Sequence, residues 1–426
     1  MQNLGISQAA LNLRESITHG TKAKILELNK KSSADDQVID LSIGTLDEKT
    51  NSGIDDAVKS YISNNAAIIH EFAPVKGFPF LRKSIAERVK RLRDISFNPD
   101  TEIMVTPGGI KGAITVVFHT LLNPDDEVIY PVPNWPHYAD MIELHLGKAK
   151  PIYVKDFYNQ AIDVVALEKT ITDKTKIIIL GDCLNPSGKI YTRDELESIS
   201  KVILTANAER LSKGLSPIYV LFDCPYESHI LNTKPANISN ITQQFKAQTH
   251  SMWDYTIYIT GPGKTYGMHG DRSGYICASD KLIKVMEKVQ VNLNSFASTY
   301  AQIATHEAMQ EYMDDVAKKR AVVARQNMQS FIEDLKSCTG LEVTEPEGGF
   351  FLFLDLSKYG DKIQKLGFDS ADQYLLETAK VASIGGMHFG ENIDSLRHYI
   401  RMNCGRDPVT LKAAAARIKE ALQKLN

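Results

Sequence analysis

The sequence feature that most constrains the fold is an alternation, beginning near residue 100, of short apolar runs with segments of helical periodicity. The apolar runs are EIMVT, DEVIYP, KPIYV, KIIILGD, PIYVLFD, YTIYIT and GYICAS. Strands that are buried on both faces and separated by helices are typical of a mostly parallel sheet. The alternation therefore predicts an α/β fold whose sheet lies between about residues 46 and 300.

Two segments give helix boundaries. Thr192 and Glu195 form a T-x-x-E capping box, which predicts that a helix starts directly after the turn LNPSGKI. The segment from about Thr299 to Cys338 has a nearly continuous helical pattern. We interpret this long helix as a connector that leaves one domain and enters a second.

The C-terminal part alternates differently. The apolar runs LEVTE, GGFFLFLDL and LRHYIRMN are interspersed with the helical segments ADQYLLETAKV and TLKAAAARIKEALQKL. This pattern predicts a smaller α+β unit with an antiparallel sheet. Because 426 residues exceed the size at which a single core stops growing, two domains are expected.

The charge balance limits the possible partners. Hydrophobic residues make up 43%, charged residues 24%, and the formal net charge is −3, so there is no basic field for nucleic acid or an anionic membrane. No run of about 18 apolar residues could span a bilayer. We therefore expect a protein that acts on small molecules, with neither nucleic acid nor a membrane as its partner.

The cysteines indicate a reducing compartment. They are five in number and never spaced as CxxC: Cys183, Cys224, Cys277, Cys338 and Cys404. An odd, scattered set argues against both a disulfide framework and a zinc site. Because the first twenty residues also lack the apolar core of a signal peptide, we expect a cytoplasmic protein without a metal site.

Polar residues follow four of the predicted strands directly. They are Gly108 and Gly109 after EIMVT, Asn185 after KIIILGDCL, Asp223 at the end of PIYVLFD, and Lys264 after YTIYIT. In doubly wound sheets, ligands bind beyond the carboxyl ends of the strands. We therefore expect the functional site at these four positions.

The segment ITGPGKTYGMHGDRSGY places Lys264 and Arg272 among five glycines. A lysine at a strand end, with glycines that admit a flat ligand, is suited to forming a Schiff base, although a solvated loop lysine fits as well. Arg272 offers a fixed cationic fork for a phosphate, or it pairs with Asp271 on the surface. Asp223 is either a turn residue or a carboxylate that keeps a pyridine nitrogen protonated.

The spacing K-x5-G-x-R-x-G at Lys264, Gly270, Arg272 and Gly274 resembles the lysine signature of the class I/II aminotransferases, fold-type I enzymes that use pyridoxal 5′-phosphate (PLP) and include aspartate aminotransferase. Other segments resemble motifs of this family and follow in its order: PVKGFPFLRKSIAERV, VTPGGIKGAI, LNPDDEVIYPVPNWPHY, NPSG, DCPY, GGFFLFLD and RMNCG. The resemblance covers the chain from about Val38 onward. It implies a mostly parallel, seven-stranded-type sheet in a three-layer α/β/α domain, with a smaller α+β domain.

The resemblance also implies boundaries and an assembly. Residues 1–45 would form an N-terminal arm packing with the small domain, residues 46–310 the large PLP-binding domain, and residues 311–426 the small domain. Members of the family place active sites at a subunit interface, so a homodimer with shared active sites is expected.

Matching motifs imply residue roles. Lys264 matches the lysine that forms the aldimine with PLP and moves the substrate's α-proton. Asp223 matches the partner of the pyridine nitrogen. Tyr226 and Asn185 resemble the pair that hydrogen-bonds the phenolic oxygen of the cofactor.

The remaining roles concern the ring face, the phosphate and the substrate. Trp135 matches the aromatic residue that stacks on the pyridine ring, and it is expected to contact the substrate as well. The backbone amides of Gly109 and Ile110, together with Arg272, resemble the phosphate-binding group.

Arg401 matches the arginine that binds the substrate α-carboxylate, and Gly44 matches a backbone contact to the same group. Asn185 is expected to contact substrate as well. Arg406 is the alternative candidate for this role, but its position does not match that of the arginine in the family's motif.

Three positions depart from the family's pattern. Gly261 stands where many members have a phosphate-binding serine, so a hydroxyl is missing there or is replaced by Thr260. Phe72 stands where many members have a tyrosine that reaches the phosphate of the neighbouring subunit. The segment NLNSFASTYAQ contains no arginine for a second substrate carboxylate, which argues against a strict preference for aspartate.

The activity implied is transfer of an amino group from an amino acid to a 2-oxo acid by a ping-pong mechanism through a Lys264 aldimine. Two alternatives stay open from the sequence. One is another PLP reaction on the same fold, such as that of a C–S lyase, a cyclising or a decarboxylating enzyme. The other is a non-catalytic regulator, which the joint presence of Lys264, Asp223 and Arg272 disfavours.

Overall fold

The computed structural model describes residues 5–425 except residues 16, 32, 34, 35, 160, 246, 247, 340, 391 and 392. Its α-helices are α1 (Gln8–Leu11), α2 (Ile17–Lys30), α3 (Ser52–Asn64), α4 (Pro79–Arg93), α5 (Gly109–Leu121), α6 (His137–Leu144), α7 (Val164–Thr170), α8 (Arg193–Ser212), α9 (Pro262–Tyr266), α10 (Asp280–Leu293), α11 (Thr299–Ala308), α12 (Glu311–Thr339), α13 (Gly360–Lys365), α14 (Ala371–Thr378) and α15 (Pro408–Gln423). Within these described residues, every helix is too short or too polar to cross a bilayer.

The strands belong to four sheets. They are β1 (Ile39–Asp40), β2 (Ile103–Pro107), β3 (Glu127–Val132), β4 (Lys148–Tyr153), β5 (Thr175–Gly181), β6 (Tyr219–Asp223), β7 (Thr242–Phe245), β8 (Gln248–Ser251), β9 (Thr256–Thr260), β10 (Ser273–Cys277), β11 (Phe351–Asp355), β12 (Val381–Ala382), β13 (Ile384–Gly385) and β14 (Tyr399–Asn403). The largest sheet has seven strands in the order β2-β10-β9-β6-β5-β3-β4. Only β10 runs antiparallel to its neighbours, so the predicted mostly parallel sheet is confirmed.

Alternating residues of the central strands enter two separate cores. On β6, Val220 and Phe222 pack with residues of α4, α8 and α11, whereas Leu221 packs with residues of α5, α6 and α10. Because both faces are covered by helices, the strands are apolar along their whole length, as the sequence pattern predicts. The result is a three-layer α/β/α arrangement.

A second core lies under the three-stranded antiparallel sheet β11-β14-β13. Residues of α12, α14 and α15 complete this core. The short strand β1 pairs in parallel with β12, so an N-terminal segment joins the C-terminal part of the chain. These elements form the α+β part that the sequence predicts.

Local expectations are met in some places and wrong in others. The capping box is present, since the Thr192 side chain accepts from the Glu195 amide and the Glu195 carboxylate accepts from the Thr192 amide. The nearly continuous helix predicted from about Thr299 to Cys338 is present as α11 and α12, with one short break between them. There the Gln310 side-chain amide donates to the His306 carbonyl at 2.9 Å and closes the end of α11.

Two further differences concern strands. The run LEVTE, from Leu341, is not a strand; Leu341 and Val343 are instead buried in the core with α12 and α15. An antiparallel pair, β7 and β8, lies where the sequence analysis predicts no hairpin. Neither difference alters the strand ends that build the site.

Candidate active site

A cavity of about 330 Å³ lies at the carboxyl ends of β5, β6 and β9. All ten residues predicted for the site line it: Gly44, Gly109, Ile110, Trp135, Asn185, Asp223, Tyr226, Lys264, Arg272 and Arg401. They come from the carboxyl ends of strands of the parallel sheet, from the start of α5, from β14, and from the loops after β1 and before β10. Parallel strands bring residues distant in sequence to one edge, which is the physical reason for this convergence.

Lys264 lies in the single turn of α9, which follows β9 directly. Its Nζ donates to the carbonyl oxygen of Gly44 at 2.7 Å and lies 6.0 Å from the ring centroid of Tyr226. Burial, and then the positive charges of Arg401 and Arg272, lower the pKa of the Lys264 amine to about 8. At pH 7, about a tenth of this amine is therefore unprotonated and nucleophilic, far more than for an exposed lysine.

Asp223 is the last residue of β6 and is almost fully buried. Its Oδ2 accepts a hydrogen bond of 2.6 Å from the Tyr138 hydroxyl, while its Oδ1 has no hydrogen-bond partner. Burial raises the pKa of the Asp223 carboxyl to about 7, against the effect of the Tyr138 hydrogen bond. A buried carboxylate with one free oxygen is suited to receive a cationic N–H group.

Arg401 lies on β14, the central strand of the three-stranded sheet. Its Nη1 donates to Asn185 Oδ1 at 3.1 Å and its Nη2 donates to the Ser42 carbonyl at 2.6 Å. Its Nε is buried without a hydrogen-bond partner. Its Cζ lies 4.1 Å from the ring centroid of Phe351, so an aromatic face holds the guanidinium flat.

Burial lowers the pKa of Arg401 to about 10, so this guanidinium stays charged at neutral pH. Its rival Arg406 pairs with Asp47, with 3.2 Å between nitrogen and oxygen, and does not line the cavity. Of these two arginines, only Arg401 lines the cavity.

Tyr226 is buried beside Phe350 and Phe351, with ring centroids 5.3 and 5.4 Å away. Burial raises the pKa of its phenol, and the positive charge of Arg401 partly opposes this rise. A phenol kept protonated in this way can donate a hydrogen bond to an anionic oxygen.

The start of α5 and Arg272 form the opposite end of the cavity. Arg272 Nη2 donates to the Gly108 carbonyl at 2.7 Å, and Nη1 donates to the His269 carbonyl at 3.2 Å. Its described partners do not include Asp271, so the surface ion pair is not formed. A guanidinium beside a helix N-terminus is suited to bind a phosphate.

One backbone amide predicted for phosphate binding is engaged elsewhere. The Gly109 N–H donates to the Arg272 carbonyl at 2.8 Å, so it is not free in this conformation. The Ile110 amide makes no hydrogen bond within the described part of the chain. It therefore remains a free donor at the start of α5.

Gly261 has a steric explanation. A Cβ built on Gly261 would lie 2.9 Å from the Ser273 carbonyl oxygen, closer than real Cβ contacts allow. Thr260 does not replace the missing hydroxyl, because its Oγ1 is buried and donates to the Cys224 carbonyl at 2.8 Å. The expectation that Thr260 takes this role is therefore wrong.

Trp135 forms one wall of the cavity. Its ring lies edge-on to Tyr138, with centroids 5.1 Å apart, and Lys111 Nζ lies 5.3 Å from its ring centroid. His137 also contacts this indole ring, with centroids 5.1 Å apart. Neither His70 nor Phe72 lines the cavity formed by this single chain.

The sequence analysis gives no role to several polar side chains of the cavity, among them Tyr138, Lys111 and His269. Tyr138 is the hydrogen-bond partner of Asp223. Lys111 and His269 each stand within two or three residues of a predicted site residue. That proximity was the only signal available for them.

The polar side chains of the cavity match the functional groups of PLP. A buried amine, a carboxylate with one free oxygen, a buried phenol and a guanidinium at a helix start line one cavity. These groups suit, in turn, an aldehyde, a protonated pyridine nitrogen, a phenolate and a phosphate. The model of the family "Aminotransferase class I and II" matches residues 36–418.

The chain belongs to this family. A probable aspartate/prephenate aminotransferase of Rickettsia conorii is 32% identical over 426 aligned residues, which cover 98% of each chain. An asparagine–oxo-acid transaminase of Streptococcus mutans is 30% identical over 425 residues, covering 98% of this chain and 99% of the relative.

A solved structure agrees with the fold of this aminotransferase. The aspartate aminotransferase of Thermus thermophilus with maleate has a TM-score of 0.82 and 24% identity, and the match covers 98% of this chain and 100% of that one. The predicted family, fold, cofactor and amino-group transfer are thereby confirmed. The chain is a PLP-dependent aminotransferase, and its named relatives are aminotransferases rather than lyases or decarboxylases.

Proposed function

We propose that this aminotransferase uses Lys264 to move the substrate's α-proton and Arg401 to hold the substrate's α-carboxylate. The observation that carries the proposal is that a buried amine of lowered pKa and a buried guanidinium line one cavity. The amine belongs to Lys264 on α9 and the guanidinium to Arg401 on β14, so the site requires both parts of the fold.

When bound, PLP supplies an aldehyde that condenses with amines and a protonated ring that accepts the electrons released at the α-carbon. Asp223 would hold the proton on the pyridine nitrogen through its free Oδ1. Tyr226 and Asn185 would donate to the phenolic oxygen, and Trp135 would cover one ring face. The Ile110 amide and the Arg272 guanidinium would bind the phosphate.

Lys264 then acts as the general base at the substrate's α-carbon. Its Nζ donates a hydrogen bond of 2.7 Å to the Gly44 carbonyl oxygen, and this bond holds the amine in the cavity. Burial and two neighbouring cations favour the unprotonated amine, which is the form that accepts a proton. The protonated amine can then give this proton back, and water would still be needed to release the 2-oxo acid.

Arg401 orients the substrate. Its Nε is free of hydrogen bonds, and its Nη1 already contacts Asn185, so a carboxylate can bind between Arg401 and Asn185. The backbone of Gly44 lies beside this position and leaves no room for a side chain, because a Cβ on it would meet the Phe351 ring at 2.6 Å. A fixed carboxylate places the α-carbon near Lys264.

We further propose that one of the two substrates is an acidic amino acid, its amide, or the matching 2-oxo acid. Relatives named for aspartate, prephenate and asparagine support this class. Lys111 supports it too, since it lines the cavity and forms no ion pair within the described residues. A flexible lysine, rather than an arginine fork, fits the expectation that the preference for aspartate is not strict.

A homodimer is proposed on the surface around Phe72. This side chain is 90% exposed in the single chain and meets the ring of Phe296 edge-on, while Ile68 nearby in sequence is 51% exposed. Arg272 at the phosphate end is exposed as well. A second copy covering this surface would bury the apolar residues and close the phosphate end of the cavity.

We also propose the division into an arm over residues 1–45, a large domain over 46–310 and a small domain over 311–426. The start of α12 at Glu311 and the pairing of β1 with β12 support it. A cytoplasmic location is proposed on the four described cysteines, Cys183, Cys224, Cys277 and Cys404, which are free thiols.

The test is a single half-reaction. Protein loaded with PLP is mixed with aspartate, asparagine, glutamate or an aromatic amino acid, without any 2-oxo acid. We expect one equivalent of 2-oxo acid per active site, loss of the visible cofactor absorbance, and recovery on adding an acceptor. Continuous release of ammonia or carbon dioxide would indicate a lyase or decarboxylase, and steady turnover by Lys264→Ala would contradict the role of Lys264.

A further inference from the structure

His269 is a polar side chain of the cavity that the proposed roles leave unused. It lies in the loop between α9 and β10 and lines the cavity. Its ring makes no hydrogen bond within the described part of the chain. A Cβ built on Gly263 would point to its Nδ1 at 3.6 Å, so the imidazole lies where a side chain at position 263 would project.

The turn before His269 provides no free hydroxyl. Gly261 and Gly263 have none, and Gly261 has no room for one. Thr260 is engaged with the Cys224 carbonyl, and Thr265 Oγ1 donates to Ser228 Oγ at 3.2 Å. The phosphate end of the cavity therefore lacks side-chain donors from this turn.

The charges around His269 favour an anion beside it. Burial, together with the positive charges of Lys264, Arg272 and Arg320, lowers the pKa of the His269 imidazole to about 4. These three cations are also the charged groups that face the ring from α9, from its own loop and from α12. A bound phosphate would offset their repulsion and would accept a hydrogen bond from the ring.

We propose that His269 donates a hydrogen bond to the phosphate group of PLP and replaces the hydroxyl that Gly261 and Gly263 lack. This rests on the proposed function, which places the phosphate beside Arg272. The two residues are joined by a hydrogen bond, since Arg272 Nη1 donates to the His269 carbonyl at 3.2 Å. The phosphate would thus be bound by two side chains of one loop.

Ser273 is the competing donor. It lines the cavity, and its Oγ is buried without a hydrogen-bond partner. However, a Cβ on the next residue, Gly274, would point at the Gly109 backbone, 2.6 Å away at the start of α5. Because side chains alternate along a strand, the Ser273 hydroxyl points to the opposite face of β10. Ser273→Ala is therefore a suitable control.

The experiment compares binding of PLP with binding of pyridoxal, which lacks the phosphate, to the apo-protein by fluorescence titration. Variants are His269→Ala, His269→Asn, Ser273→Ala and Arg272→Ala. We expect His269→Ala to weaken PLP binding about tenfold or more, the range for one charge-assisted hydrogen bond, without changing pyridoxal binding. His269→Asn, whose amide can donate from nearly the Nδ1 position, should recover most of the affinity for PLP.

The outcomes distinguish a failure of the role proposed for His269 from a failure of the proposed phosphate position. Unchanged PLP binding by His269→Ala, an equal loss for pyridoxal, or a larger loss in Ser273→Ala would each overturn the role of His269. If Arg272→Ala also binds PLP as tightly as the wild-type protein, the proposed phosphate position itself is wrong. A phosphate-specific loss in Arg272→Ala alone would leave the proposed function intact and reject only the role of His269.

Discussion

The Tyr138 hydroxyl donates a hydrogen bond of 2.6 Å to Asp223 Oδ2, which leaves Oδ1 as the only free oxygen of this carboxylate. Tyr138 is the second residue of α6, whereas Asp223 is the last residue of β6. The hydrogen bond therefore fixes the orientation of the carboxylate from outside its own strand. It also stabilises the charged form, which burial disfavours.

Replacing Tyr138 by Phe should raise the pKa of Asp223 further above about 7, since the hydrogen bond that lowers it is lost. The charged carboxylate would then form only at higher pH. We expect the binding of 4′-deoxypyridoxine 5′-phosphate, a cofactor analogue without the aldehyde, to require higher pH in Tyr138→Phe. Isothermal titration between about pH 5 and pH 9 would measure this shift.

Tyr191→Phe is the matched control, because the Tyr191 hydroxyl is buried and has no hydrogen-bond partner to lose. This variant should bind the analogue with the wild-type pH dependence. Identical profiles for Tyr138→Phe and wild type would show that the hydrogen bond does not set the charge of Asp223.

The second prediction concerns Lys264 in the apo-protein. Its amine has a pKa lowered to about 8, so it is mostly protonated below this pH and mostly free above it. The rate at which PLP is captured covalently should rise about tenfold per pH unit below this value and level off above it. Stopped-flow absorbance would measure the rate. A plateau only near pH 10, as for an exposed lysine, would contradict the effect of burial.

The third prediction separates Arg401 from Arg406. A lysine at position 401 keeps the charge but cannot form two parallel hydrogen bonds with a carboxylate. We expect Arg401→Lys to lower kcat/KM for every amino acid by at least about tenfold. Arg406→Lys, whose parent residue pairs with Asp47, should change it little. Equal losses in the two variants would reject Arg401 as the specific carboxylate ligand.

The sequence predicts those site residues whose position follows from strand ends. Asp223 is the last residue of β6 and Lys264 follows the parallel neighbour β9, so their convergence needs no knowledge of packing. The partnership of Tyr138 with Asp223 was not predictable in this way. It joins residues 85 positions apart, and it depends on how α6 is seated against β6.

The glycines of the site show the same limit of prediction from sequence. The absence of a hydroxyl at Gly261 is visible in the sequence, but its cause is the approach of the Ser273 carbonyl, which only the structure provides. The use of the Gly109 amide by the Arg272 carbonyl is likewise a contact between distant segments. A motif identifies the residue, whereas the packing of neighbouring strands decides which of its atoms are free.

The fourth prediction concerns Lys111 and the acidic substrate. Replacing Lys111 by Met removes the charge but keeps an apolar chain beside Trp135, from which Lys111 Nζ lies 5.3 Å. We expect a higher KM for the dicarboxylic acceptor 2-oxoglutarate and no change for pyruvate. Steady-state kinetics with both acceptors would show it, with the exposed Lys281→Met as the control. A change of equal size for both acceptors would mean that Lys111 does not contact the second carboxylate.

The last prediction is that Gly261→Ser does not restore a phosphate-binding hydroxyl. The backbone at Gly261 is extended, so the serine itself would not be strained, but its Cβ would lie 2.9 Å from the Ser273 carbonyl oxygen and 3.2 Å from Gly274 Cα. Both contacts are with backbone, which cannot move aside without disturbing β10. The variant should lose about 1–3 kcal/mol of unfolding free energy, the usual cost of overpacking, and should bind PLP no more tightly. Gly270→Ser, where a Cβ meets nothing within 4 Å, should be stable. Urea unfolding and PLP titration of both variants test this. Tighter PLP binding by Gly261→Ser would contradict the prediction, because it would show that a hydroxyl fits at this position and contributes to binding.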